Sequence, residues 1–184
     1  MTAIMPKQFL QFSSFVDQLN DRFGVLASWL VLLAVLISAG NAIIRYSFSI
    51  SSNAWLEIQW YLFTGMVMLG AATTFRLNEH VRVDVLYAMY PNRVRLWLDF
   101  WGGILFLLPM CLIIGWNSLE LFFNSFLQNE MSSNAGGLLR WPARIMIPIG
   151  FFLLFLQGVS EIIKRYAALQ GIIQIDPKYE RPLQ

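Results

Sequence analysis

The chain has 184 residues, of which 57% are hydrophobic and 13% charged, with a formal charge of +2. A soluble domain carries about twice that charged fraction, and no basic stripe marks a nucleic-acid surface. One cysteine and one histidine exclude an intrachain disulfide, a cysteine-ligated cluster and bis-histidine haem ligation.

Residues 1–22 come first. Phe9, Phe12, Val16, Leu19 and Phe23 recur at helical spacing, with Gln, Ser and Asp between them. This pattern predicts an amphipathic helix on the cytoplasmic membrane surface. An uncharged run from Phe23 to Ile44 follows. A bilayer core needs about 20 apolar residues as a helix, so a first span is expected over about 23–45. It is too long for a signal peptide, follows Asp17, Asp21 and Arg22, and lacks an A-x-A site. Ala34, Ser38 and Ala42 form a small-residue ridge on it that lets another helix come close.

The second span is expected over about 55–77, with a shorter ridge at Gly70 and Thr74. Glu57 sits at its outer end, near Arg45 and Arg144. A carboxylate at membrane depth is a functional candidate for binding a cation or a substrate amine. At a helix end, the better reading is a structural ion pair or an anion at a helix N-terminus.

After Phe75 the stretch RLNEHVRVDVLY gathers Arg76, Glu79, His80, Arg82, Asp84 and Tyr87. Asn78 can take the left-handed conformation that ends a helix. His80, Arg82 and Asp84 alternate with Val81, Val83 and Val85, which predicts a short extended segment, and Asp84 is placed to cap the turn that follows. A His80–Asp84 proton relay is conceivable chemistry. The stretch lies at the membrane edge, however, and a packing hinge tied to Arg76 or Arg82 is the preferred reading.

Pro91 opens a third helix, expected over 92–127, with a kink at Pro109 and an outer stripe of Leu119, Phe122, Phe123 and Phe126. NEMSSNAGGLLR is a loop. Trp141-Pro142 opens the last helix, 141–170, with proline tolerated in the first turn and Arg144 able to snorkel. Asn41 and Asn117 are candidates for bonds across helices. Residues 172–184 form a cytoplasmic tail.

The expected fold is an all-α integral membrane protein with four transmembrane helices over residues 23–171. Lys and Arg set its orientation. With both termini in the cytoplasm, only Arg45, Arg140 and Arg144 of the residues flanking the spans fall outside. No Walker loop or G-x-S-x-G motif is present. No catalytic, cofactor-binding or metal-ligating residue is assigned, and no enzymatic activity is expected.

Glu57, Tyr61-Leu62-Phe63, Gly70-Ala71 and Glu79-His80-Val81-Arg82-Val83-Asp84 occur in an order that resembles the small four-helix membrane subunit of tripartite ATP-independent periplasmic (TRAP) transporters. Pro148, Gly150 and Phe151 extend the match. SSNAGG before Trp141-Pro142, and LLFLQGVSEIIKR, are similar to a subgroup associated with 2-oxo acids and related organic acids. Many members have Gly where Asn78 stands and Arg where Trp60 stands. The resemblance implies a bacterial inner-membrane scaffold in a secondary symport system. Its partners would be a large permease subunit, a periplasmic solute-binding protein that docks transiently, and the lipid bilayer. Interface candidates are Ala34, Ser38, Ala42, Glu57, Tyr61, Gly70, Arg76, His80 and Asp84, and Arg140 and Arg144 are candidate contacts for the binding protein. Two rival readings are a self-sufficient small multidrug-type exporter, which needs a carboxylate within a span, and the membrane anchor of a redox enzyme, which one histidine disfavours.

Overall fold

The computed structural model describes residues 7–50, 52–79, 87 and 89–173. Among the described residues there are four long helices: α1 (Lys7–Phe48), α2 (Asn53–Arg76), α3 (Asn92–Leu127) and α4 (Trp141–Leu169). Among the described residues, the only strand-like element is an isolated bridge between Met131 and Leu139. The helices α1, α3 and α4 are long and apolar enough to cross a membrane. Helix α2 is shorter, at 24 residues, and carries Asn53, Glu57 and Gln59 near its start.

The boundary expected at Phe23 is absent. Helix α1 runs unbroken for 42 residues, because no Gly-Pro signal or αL residue interrupts the chain where the surface helix was to end. At 1.5 Å per residue it is about 63 Å long, roughly twice the hydrocarbon thickness. Its polar face also points inward. Ser13, Asn20 and Val16 are buried, whereas Phe9, Phe12 and Phe15 are exposed.

Helix α4 is the centre of the fold. It packs on α1, α2 and α3, while α1 and α2 pack on each other and α3 packs principally on α4. The result is an open fan rather than a closed bundle. Ala27, Leu69, Ala72 and Leu153 form the shared core, with Leu19, Phe23, Leu30, Met146 and Ile149 against it. Small residues set the spacing. A Cβ on Gly24 would lie 2.7 Å from the Thr73 hydroxyl, and one on Gly150 would lie 2.6 Å from Met68 Cβ. The α1–α2 approach therefore runs through Gly24 and Ala27 against Thr73 and Gly70. On the small-residue ridge of α1, Ser38 faces outward and Ala34 and Ala42 are half-buried.

Helix ends follow local chemistry. Asn78 adopts φ 60°, and the Glu79 N–H returns to Thr74 O at 3.1 Å, a left-handed cap of the expected kind. Ser52 caps α2 through the Ala54 N–H. Pro109 was expected to kink α3. A π-helical turn at Gly103–Leu107 lies just before that proline, where the carbonyls that proline cannot serve are re-registered. Pro148 leaves a similar break, with Ile145 in a turn between Trp141–Arg144 and Met146–Leu169. Asn117 bonds within its own helix, to Ile113 O at 2.7 Å, and not across to a neighbour. His80, Arg82, Asp84 and the extended segment expected around them lie outside the described residues.

Candidate functional site

Two polar clusters occupy opposite ends of the fan. The inner one joins the amino-terminal third of α1 to the second half of α4. Ser13 and Ser160 exchange hydroxyl-to-carbonyl bonds at 3.3 and 3.4 Å. The Asn20 amide donates to Gln157 Oε1 at 2.7 Å. Gln157 Nε2 in turn donates to Asp17 Oδ1 at 2.9 Å and Glu161 Oε1 at 3.1 Å. Lys164 bridges the same two carboxylates, at 2.6 Å from Asp17 Oδ2 and 2.9 Å from Glu161 Oε1. Arg165 continues the chain toward α3, pairing with Glu161 and with Asp99 Oδ2 at 3.1 Å. The Tyr87 hydroxyl donates to that same Asp99 oxygen at 2.9 Å. A second tie joins α1 to α2, where Arg76 pairs with Asp21 and Thr73 Oγ1 donates to Asn20 O at 2.7 Å. Arg76 therefore anchors to α1.

This network is deeply set. Asn20, Gln157 and Ser160 are fully buried, and Glu161 and Arg165 are each 8% exposed. Charges this far from water persist only when paired and hydrogen-bonded, and here every carboxylate has a cationic partner. Among the described atoms of the network, Asn20 Oδ1 and Arg76 Nε are buried without a hydrogen-bond partner.

The outer cluster fastens a loop to α2. Asn53, Glu57 and Tyr61 recur every four residues and so share one helix face. Asn53 donates to Ala135 O at 2.9 Å, and the Tyr61 hydroxyl donates to Leu139 O at 2.8 Å. Between them Glu57, 3% exposed, accepts from the Ser132 hydroxyl, from Asn134 Nδ2 at 2.9 Å and from the Leu138 N–H at 2.7 Å. The loop is thus an ordered hairpin. Its strands meet through Ser132 N–H to Leu138 O and Arg140 N–H to Glu130 O, both 2.9 Å, and Gly136 turns it at φ 70°. Gly137 has no room for a side chain, since a Cβ would lie 2.9 Å from Glu57 Oε1.

Of the two readings of Glu57, the ion pair with Arg45 or Arg144 is not found among the described residues, and these neutral donors hold the carboxylate near the start of α2. The physical reason is proximity: Arg140 and Arg144 both turn to Glu130. Burial pushes the Glu130 carboxyl up, but bonds to the two guanidiniums outweigh this and hold it below its ordinary value of 4.5. Arg140 and Arg144 therefore spend their charge within the hairpin base. Phe126 stacks edge-on against Trp141 at 5.5 Å, closing that base from the other side.

Of the residues singled out from sequence, Glu57 and Tyr61 meet in the outer cluster. Gly70 and Arg76 serve the α1–α2 contact, and Ala34, Ser38 and Ala42 join neither cluster. The inner network was missed. Its signal was present, in Ser13, Asp17 and Asn20 on α1 and in Gln157, Ser160, Glu161 and Lys164 on α4. Both stripes have helical spacing, so two polar faces could have been matched to each other instead of to water.

No curated protein and no solved structure matches the chain. A family model does: that of tripartite ATP-independent periplasmic transporters, DctQ component, matches residues 34–168. The match covers α2, α3 and nearly all of α4, and with them both arms of the outer cluster and the α4 side of the inner one. The chain therefore belongs to the DctQ family, the small membrane component of tripartite ATP-independent periplasmic transporters, which are transport systems and not enzymes.

Proposed function

We propose that this chain is the fixed scaffold subunit of a secondary transporter that imports organic acids, of the C4-dicarboxylate or 2-oxo acid kind, across the bacterial inner membrane. It works beside a large permease subunit that holds the substrate and ion sites, and a periplasmic binding protein delivers the solute. In this reading α2 is a fourth span, and both termini are cytoplasmic. The inner cluster then lies at the cytoplasmic side and the outer hairpin at the periplasmic side.

One observation carries the reading. The two buried polar clusters lie at the two ends, and they fasten helices and a loop to one another. Between them the helices meet through Ala27, Leu69, Ala72 and Leu153, with Gly150 tight on Met68. An apolar, close-packed middle gives a polar anion no path, and an open fan gives it no enclosure.

Reconstitution tests this. Proteoliposomes holding the small and large subunits with the binding protein take up solute under an ion gradient, whereas those holding this chain alone do not. Robust uptake by this chain alone would overturn the proposal. A reporter fused at either terminus stays cytoplasmic, and periplasmic activity at one end would refute the topology.

A further inference from the structure

Asn41 is a buried polar residue that belongs to neither cluster. It is 8% exposed, on the outer half of α1, and its side chain has no hydrogen-bond partner among the described residues. Other polar side chains on the outer halves of the helices bond within their own helix. Gln59 reaches Trp55 O at 3.1 Å, Thr64 reaches Trp60 O at 2.9 Å and Asn117 reaches Ile113 O at 2.7 Å. Asn41 does not, and an amide without a partner at membrane depth is costly. Its atoms are not sealed in either. Among the described residues the enclosed, unpartnered side-chain atoms are Asn20 Oδ1, Arg76 Nε and Ser125 Oγ. The amide of Asn41 therefore lies at the small part of the residue that is exposed.

Its neighbours on the helix are polar too. Arg45 follows four residues later and Ser38 precedes by three, which puts all three on one face, and both are exposed. Arg45 stands in the last turn of α1, with its guanidinium 5.3 Å from the centre of the Tyr46 ring. Unlike Arg76, Arg140, Arg144 and Arg165, it has no carboxylate partner among the described residues. A cation at a helix C-terminus complements the dipole. That accounts for the charge but not for the amide beneath it.

The order of groups along the helix points to a ligand. From the end of α1 inward come a guanidinium, an amide about 6 Å deeper and a hydroxyl about 10 Å deeper. A glycerophospholipid presents its groups in the matching order: phosphate at the surface, ester carbonyls just beneath it, then acyl chains. The phosphate accepts from the guanidinium in the paired geometry that arginine favours, and the Asn41 NH2 donates to an ester carbonyl. Val31 and Val35, exposed on the next turns inward, lie beside the acyl chains. Because no described carboxylate offsets Arg45, an anionic headgroup suits the site better than a zwitterionic one.

We propose that Ser38, Asn41 and Arg45 form a binding site for one anionic glycerophospholipid, in the leaflet at the carboxy-terminal end of α1. The site goes beyond the scaffold reading and needs only that α1 crosses the bilayer.

Native mass spectrometry of the full chain in detergent tests this, with phosphatidylglycerol as the probe and phosphatidylethanolamine as the zwitterionic comparison. The wild-type chain retains one phosphatidylglycerol in preference to phosphatidylethanolamine. Arg45→Gln weakens that binding about tenfold, the loss expected of one charge-assisted bond, and removes the preference. Asn41→Leu weakens both lipids alike, by about threefold, because the ester carbonyls are common to both. Circular dichroism checks that each variant is folded. If Asn41→Leu does not fold, Asn41→Asp takes its place: it keeps the shape, lacks the donor and abolishes the preference for phosphatidylglycerol. Arg22→Gln changes an exposed arginine whose neighbour one turn back, Gln18, already bonds to Ser14, and it leaves both lipids bound as before. Undiminished phosphatidylglycerol binding in Arg45→Gln would overturn the proposal. So would an equal loss in Arg22→Gln, which would mean diffuse attraction of anionic lipid to any exposed cation. Should Arg45→Gln keep its lipid but lose the large subunit on co-purification, the face belongs to a protein carboxylate and the lipid site falls.

Discussion

The inner and outer clusters solve the same problem, a carboxylate removed from water, in different ways. The inner network spends charge on charge: Asp17, Glu161 and Asp99 are shared between Lys164 and Arg165 across three helices. At Glu57 the outer cluster uses neutral donors only, from a hydroxyl, an amide and a backbone N–H of one hairpin. The difference follows from what each must hold. Helices separated by more than a hundred residues need ties that survive low dielectric, and opposite charges interact most strongly there. A short loop needs direction more than strength, and three donors converging on one carboxylate set its geometry. The inner cluster is accordingly costly to break and the outer one specific in shape.

The largest expected effect comes from Arg165→Met. The methionine keeps much of the side-chain volume but leaves Asp99 without its cation and Glu161 with Lys164 alone. Removing one member of a buried ion pair costs about 3–5 kcal/mol. Thermal unfolding of the purified chain in detergent should fall accordingly, with α3 separating from α4 first. A loss below about 1 kcal/mol would mean that the inner cluster is no stronger than an exposed salt bridge, and the contrast drawn here would fail.

Glu57→Gln comes next. The amide presents one acceptor oxygen where the carboxylate presents two, and its NH2 group faces donors. At least one of Ser132, Asn134 and the Leu138 N–H loses its partner. Hydrogen exchange at the Leu138 amide should accelerate about tenfold, the size expected for losing a typical charge-assisted bond, while exchange in α1 and α4 stays put. Equal acceleration throughout would show that the hairpin is not a separate unit.

How far the sequence foretold this arrangement depends on which physics was local. Asn78, Pro91 and Trp141-Pro142 were legible as helix punctuation, because left-handed φ and the missing proline N–H are properties of single residues. The long apolar runs were legible for the same reason. Glu57 was legible as important but not as to its partners, since Ser132, Asn134 and Leu138 lie more than seventy residues away. The amphipathic stripe of α1 was read as a surface helix with its polar side in water, whereas Ser13, Asp17 and Asn20 turn in to α4. An apolar stripe faces the core only when the surroundings are water; beside lipid, Phe9, Phe12 and Phe15 can face out and Ser13, Asp17 and Asn20 in. The π-helical turn needed knowledge of both Pro109 and its packing against α4, which no local pattern provides.

The smallest effect sharpens the comparison at the hairpin base, where the outer cluster does use charge. Glu130 in the folded chain titrates below its ordinary value of 4.5 because Arg140 and Arg144 favour its ionised form over the penalty of burial. A carboxylate whose folded value is depressed adds stability above its unfolded value, and that stability fades as pH falls through the folded one. The hairpin base should therefore hold unchanged from neutral pH down to about 4.5 and loosen only below it. The tryptophan nearest the base, Trp141, reports this through its contact with Phe126. Its fluorescence should shift below pH 4.5 in the wild-type chain and lose that transition in Glu130→Gln. The same transition persisting in Glu130→Gln would assign it to another carboxylate and remove the two arginines from the account of how the outer hairpin is held.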